Sequence, residues 1–204
     1  MPDLRRLERR LSRRLLPARL GVGPLLQRDY WALIDRCRLT PAEVADLVAC
    51  RFEEFAPGEV VRFARHGPPG QPLQPGDELD VHIAAAGKFS VRVLHRNLRS
   101  LTLGTVEGHP EAGRITFGAY RNDLGDVLFH IRSRTRSRTR LHYAGFRALG
   151  EAMQTMCWTG YVNAVACAVG EGVIGFVHAE TSTRQDDDTE HDAAHRPTYL
   201  ARGN

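Results

Sequence analysis

The stretch LHYAGFRALGEAMQTMCWTGYVNAVACAV, Leu141–Val169, decides how the rest of the chain is read. Phe146, Leu149, Met153, Cys157, Tyr161 and Ala164 fall on one stripe at helical spacing, so these 29 residues are expected to form one long, mostly apolar helix. Such a helix needs a cover, and the segments before it have the alternation of sheet strands. Gly150 and Gly160 flank the stripe and leave volume facing that sheet, while Gln154, Thr155 and Asn163 offer polar contacts.

Upstream of the helix the apolar period is two. Val61 and Phe63, Leu79 to Ile83, Phe89 to Val93, Leu101 to Thr105, Ile115 to Ala119 and Val127 to Ile131 read as six short strands. Turns at Ala84–Gly87, Asn97–Arg99, Glu107–Gly113 and Asn122–Gly125 make the last five an antiparallel meander. Further back, Thr40-Pro41-Ala42-Glu43 is a capping box with proline at the first helical position. A helix therefore starts at Pro41, with Val44, Leu47, Val48, Phe52 and Phe55 on its apolar face, and Pro57-Gly58 stops it. Arg28–Ile34 is a strand candidate and Leu20–Leu26, with Gly21, Gly23 and Pro24, a linker.

At the N-terminus, Leu4, Leu7, Leu11 and Leu15 alternate with arginine pairs, so residues 3–16 are expected to be a basic amphipathic helix that packs its Leu stripe on the body and keeps its Arg face solvated, with weak contact to anionic membrane as the other reading. After the long helix, Gly172–His178 is a final strand or a continuation. Ala179–Asn204, with Asp186, Asp187, Asp188, Glu190 and Asp192, is expected to be a disordered acidic tail, in which His191 and His195 are solvated. The expected organisation is thus 1–27, basic helix and linker; 28–178, the folded domain; 179–204, tail.

With 204 residues and 42% hydrophobic composition the chain can bury one full core. No apolar run reaches membrane-spanning length, and Pro17, Arg19, Gln27, Arg28 and Asp29 interrupt anything resembling an export signal, so a cytoplasmic protein is expected. Cys37, Cys50, Cys157 and Cys167 form no C-x-x-C pair and read as small buried side chains. The net charge of +4 is concentrated in the first 20 residues, where seven arginines meet only Asp3 and Glu8. The rest is close to neutral and makes no strong case for nucleic-acid binding.

Gly170-Glu171-Gly172-Val173-Ile174-Gly175 matches G-x-G-x-x-G, but it follows a helix and lies in no βαβ unit, which excludes a dinucleotide site. Glu107, His109 and Glu111 surround one turn and form the candidate acid–base group. Arg132, Arg134, Arg136, Arg138 and Arg140 alternate with hydroxyl residues; the last three are read in an exposed loop, while Arg132 and Arg134 stay open between an anion-binding row and a strand's outer face.

The run Gly104-Thr105-Val106-Glu107-Gly108-His109-Pro110-Glu111-Ala112-Gly113, followed by Phe117, resembles the Gly-Thr-x-x-Gly-His-Pro-x-x-Gly-x-x-x-Phe signature of the DUF1990 family. Phe129 to Arg134 and Met153-Gln154 are also similar to that family. Arg114-Ile115 stands where many members carry acids. The resemblance implies a Bet v 1-like, START-type helix-grip fold of the α+β class: a seven-stranded curved antiparallel sheet around a long C-terminal helix, in the order β-α-β6-α, enclosing an apolar cavity. The expected function is binding of a small apolar or amphiphilic molecule there, with Phe117, Phe129, Ile131, Met153 and Tyr161 lining the cavity and His109, Arg114, His130 and Arg132 as polar contacts. No catalytic residue, metal or cofactor is assigned. The alternatives are a cyclase- or hydrolase-type enzyme using Glu107, His109 and Glu111, and an RNA- or anionic-membrane-binding module using the Arg-rich segments.

Overall fold

The capping box is formed as its residue types dictate. Thr40 Oγ1 accepts from the Glu43 backbone, the Glu43 carboxylate accepts from Thr40 N at 2.7 Å, and α1 (Pro41–Cys50) starts at the proline. The computed structural model describes residues 13–84, 86–138 and 140–184, with the backbone path alone for 140–149. Its other elements are β1 (Val22–Leu33), β2 (Val61–Arg65), β3 (Glu78–Ile83), β4 (Gly87–Arg96), β5 (Ser100–Thr105), β6 (Glu111–Arg121), β7 (Val127–Ser137), α2 (Arg140–Val169) and β8 (His178–Arg184).

The described strands form one antiparallel sheet of eight, in the order β2-β3-β4-β5-β6-β7-β1-β8. Strands β2 to β7 and the long helix are where the sequence places them, but α1 ends at Cys50, with Phe52–Phe55, expected on its apolar face, forming a separate 3-10 turn, and the sheet has eight strands rather than seven. The linker expected at Leu20–Leu26 is mostly strand: β1 runs from Val22, and Gly23 and Pro24 sit where its register to β7 shifts. A bulge tolerates glycine and proline, residues that elsewhere punctuate a chain.

The tail expected from Ala179 is an edge strand as far as Arg184, paired to β1 from Trp31↔His178 to Leu25↔Arg184. Every β8 side chain is exposed, so its stability comes from backbone pairing and from the Trp31–His178 ring stack at 4.8 Å, neither of which leaves an apolar alternation in the sequence. The folded region therefore crosses both boundaries expected at 28 and 178. Residues 185–204, with His191 and His195, lie outside the described residues. So does the greater part of the expected 3–16 helix. Its last residues are extended, not helical: Leu15 bridges Val106, Leu16 N–H donates to Thr105 O at 2.8 Å, and Arg14 O accepts from Glu107 N–H. These backbone groups are committed to the β5–β6 turn and cannot also serve a helix.

The core lies between the inner face of the sheet and α2, which at 1.5 Å per residue spans about 45 Å. Tyr161 is its hub. Its ring packs on Phe52, Phe55, Phe117, Phe129 and Trp158 at 5.3–6.4 Å, and its hydroxyl donates to Phe52 O at 3.0 Å. Full burial of a side chain of this size contributes on the order of 2–3 kcal/mol, provided the hydroxyl is met. After α2, Glu171 N–H donates to Asp35 O and Asp35 N–H to Gly172 O, so the G-x-G-x-x-G stretch locks the helix end onto the β1–α1 connection. Of the cysteines only Cys157 is buried; Cys167 is exposed, contrary to expectation, and all four are free.

Candidate functional site

β7 alternates its two faces across the sheet. Phe129, Ile131, Ser133 and Thr135 point to the interior, so His130, Arg132 and Arg134 point outward. Across the ladder, Tyr30 and Arg28 of β1 share the inner face, while Trp31, Asp29 and Gln27 share the outer one.

On the inner face a cavity of about 380 Å³ opens between the sheet and the middle of α2. Val61, Phe63, Val81, Ile83, Val91, Leu103 and Ile115 form its sheet wall, and Gly150, Met153, Cys157 and Trp158 its helix wall. His109, Glu111, Ser133, Thr135 and Gln154 gather polar groups on its lining.

The signature turn builds that polar end. Gly108 turns the chain at φ +98°, and Gly113 passes so close to β7 that a Cβ there would meet Arg134 O at 2.1 Å. Thr105 Oγ1 accepts from Gly113 N–H at 3.0 Å and donates to Leu16 O at 2.9 Å, and Pro110 O accepts from Arg138 N–H. His109 is thereby turned inward, its Nδ1 3.1 Å from Glu111 N and 3.0 Å from Glu111 O, its ring 5.4 Å from that of Phe89. Burial holds the His109 imidazole below its ordinary pKa, so it is neutral near pH 7.

The Glu111 carboxylate is held from three directions. Oε1 accepts from Thr135 Oγ1 at 3.1 Å and pairs with Arg28 at 3.4 Å; Oε2 accepts from Gln154 Nε2 at 2.8 Å. Arg28 also donates to Thr135 Oγ1 at 3.2 Å. Two buried polar atoms of the cavity lining have no partner: Ser133 Oγ and Gln154 Oε1.

Of the residues expected to contact a ligand, His109 and Met153 line this cavity; Arg114 borders it, but its pairing with outward-facing Arg134 puts its side chain on the outer face. Phe117, Phe129, Ile131 and Tyr161 do not; they form the closed aromatic and aliphatic core beside it. Gly160 likewise packs at Pro57 rather than on the cavity, whereas Gly150 lines it. His130 and Arg132 belong to the outer face, because period two puts them opposite Phe129 and Ile131. There, His130 Nε2 donates to Asp29 Oδ1 at 2.7 Å, Arg132 Nε to the same oxygen at 2.6 Å, and Gln27 Nε2 to Oδ2 at 2.7 Å. Arg134 Nε closes the row on Gln27 Oε1 at 3.0 Å. Burial raises the Asp29 carboxyl, but the hydrogen bonds from His130 and Arg132 and their charge outweigh it and hold Asp29 at about 2. Burial keeps His130 below its ordinary value. The arginines of this row are thus occupied within the fold, and Arg136, expected in a loop, is in β7 with Nη1 donating to Gly23 O at 2.6 Å. Glu107 is exposed, so only His109 and Glu111 of the expected acid–base group reach the cavity.

Ser133, Thr135 and Arg28 carry no sequence expectation for the cavity's polar end, whereas Gln154, expected to offer a polar contact, lines it and Thr155 and Asn163 do not. The signal for the first two was available: Ser and Thr interrupt the inward row begun by Phe129 and Ile131. Among the described residues no three His, Cys, Asp or Glu side chains converge as a metal site requires, and no helix is long and apolar enough to cross a membrane.

The model of a domain of unknown function, DUF1990, matches residues 51–164, more than half of the chain. The chain belongs to the DUF1990 family. The match contains the signature turn, β2 to β7 and the cavity-lining part of α2. Among solved structures this DUF1990 chain is similar to the KanY protein, solved by NMR, with 11% identity and a TM-score of 0.53 over 74% of this chain and 100% of that one. It is also similar to truncated norcoclaurine synthase of Thalictrum flavum, with 10% identity and a TM-score of 0.51 over 72% of this chain and 96% of that one. The same enzyme in complex with dopamine and hydroxybenzaldehyde gives 10% identity and a TM-score of 0.50 over 73% and 92%. Likeness at this identity is one of fold, and it agrees with the Bet v 1-like helix-grip fold expected from the sequence. No curated protein sequence matches the chain.

Proposed function

We propose that this protein binds a small apolar or amphiphilic molecule in the cavity between the sheet and α2. The observation that carries the reading is the cavity itself, about 380 Å³ with mostly aliphatic and aromatic walls. That volume is within the range of small-molecule sites, roughly 300–1,000 Å³, and a fold whose core is otherwise close-packed does not leave such space by default. A second reading, acid–base catalysis on the bound molecule, draws on neutral His109 and Glu111 lining the same cavity.

Native mass spectrometry of the full chain purified from its own host tests both. The expected result is a bound small molecule released on denaturation and absent from a Met153→Trp variant, which fills the cavity from α2. Ligand-free protein in both preparations would overturn the binding reading. A ligand that is recovered chemically unchanged after prolonged incubation removes the catalytic one.

A further inference from the structure

Gln154 has only one way to face. A carboxylate offers acceptors alone, so the amide nitrogen must turn to Glu111 Oε2, 2.8 Å away, and this aims Oε1 elsewhere with no partner. Ser133 is the inward residue between Ile131 and Thr135 on β7. It is only 6% exposed, and its hydroxyl is unmet, whereas the next inward hydroxyl, Thr135, is fully engaged by Glu111 and Arg28. Both unmet atoms belong to residues on the wall of an otherwise apolar cavity. Unmet buried polar atoms in a native fold need an explanation, and a ligand group is one.

The two atoms define what that group must be. Gln154 Oε1 can only accept, so the ligand must donate to it; Ser133 Oγ can donate or accept. A hydroxyl, which donates and accepts, suits either atom. A carboxylate does not: it has no proton for Gln154, and it would approach the Glu111 carboxylate, whose charge is already matched by Arg28. Neutral His109 brings no positive charge to the wall, and Arg114, paired with outward-facing Arg134 in the ladder, has its side chain on the outer face. We infer that the cavity selects a neutral molecule with a hydroxyl at the Ser133–Gln154 end, in preference to a carboxylate or a bare hydrocarbon of the same shape. The inference rests on the cavity being a binding site, and the test separates the two.

Isothermal titration calorimetry of the full chain at neutral pH compares 2-naphthol, naphthalene and 2-naphthoate, three molecules sharing one apolar body. The expected result is 2-naphthol bound about tenfold more tightly than naphthalene, the order of one added hydrogen bond that relieves a buried group, and 2-naphthoate weakest. Ser133→Ala and Gln154→Met should each remove most of the hydroxyl advantage while leaving naphthalene affinity within about twofold. Binding of naphthalene and 2-naphthol with equal affinity, tighter 2-naphthoate, or a hydroxyl advantage intact in both variants overturns the head-group inference and leaves the cavity reading standing. No binding of any of the three overturns the cavity reading and this inference with it.

Discussion

β1 and β7 carry two polar clusters back to back, one on each face of the same pair of strands, and both contain a glutamine that donates to a carboxylate. On the outer face Gln27 gives its amide nitrogen to Asp29 and receives Arg134 on its oxygen. On the inner face Gln154 of α2 gives its nitrogen to Glu111 and receives nothing. Residue types and carboxylate chemistry are the same; the difference is completion. The outer cluster, with Asp29 fed by three donors and the Gln27 oxygen by a fourth, fastens β1 to β7, and each of its acceptor atoms is already engaged. The inner one stops short, on the wall of a cavity. A buried polar cluster thus declares its role less by its composition than by which of its atoms are left over.

The largest effect expected from breaking this comparison is on the outer side. Asp29→Ala leaves Arg132 and His130 facing each other with no anion between them, and loss of one partner of a buried pair costs about 3–5 kcal/mol. Urea denaturation should show that loss, and a change below about 1 kcal/mol would mean that the cluster does not fasten the strands. The inner cavity, on the other face, should keep its ligand affinity wherever the variant is folded.

Acid tests the same cluster with no mutation. The folded-state pKa values of His130 and His109 are depressed, so the unfolded chain takes up protons first and stability declines as pH falls below the ordinary histidine value of 6.5. Asp29 is also depressed, from 3.8 to about 2, so its contribution is fully present above 3.8 and is lost as pH falls through about 2. That shift corresponds to about 2 kcal/mol. Urea midpoints followed downward from pH 7 should fall in these two stages. A His130→Gln variant that keeps the first stage at full size would mean the outer histidine does not contribute to it.

The smallest effect is the most discriminating. Thr135→Val removes a hydroxyl that joins Glu111 to Arg28 and should cost about 1–2 kcal/mol, whereas Ser133→Ala, two residues away on the same row, removes one that joins nothing and should be neutral or slightly stabilising. Thermal unfolding of the two ligand-free variants decides it; equal losses would mean that Ser133 has a partner in solution.

The sequence makes the middle of this fold legible because apolar alternation and capping chemistry are side-chain signals. The capping box at Thr40, the six strands from Val61 to Ile131 and the helix over Leu141–Val169 all announce themselves that way. β8 does not, since HAETSTR buries no side chain and is held through its backbone. The start of β1 hides behind Gly23 and Pro24, which read as a break and form a bulge. Within the site, the signature turn places His109 on the cavity by close backbone packing at Gly113. Which bulky residues line the space and which fill it is a matter of depth along the sheet, and neither Phe117 nor Tyr161 carries a mark that tells a core position from a pocket position. His130 and Arg132 are different: strict alternation from Phe129 and Ile131 already assigns them to the far face.

The place of β1 has a consequence for how the molecule comes into being. β1 lies between β7 and β8, and both neighbours come after it in the chain, with Asp29 and His130 separated by 101 positions. During synthesis its backbone donors and acceptors must stay unmatched while the β2–β7 meander is made, and those on the β8 side wait until α2 has also emerged. The strand that is translated first is completed last, and such long-range closure is the slow kind of step in folding. Until then the half-built sheet has an open edge at β7, the kind of edge at which unfinished chains pair with one another.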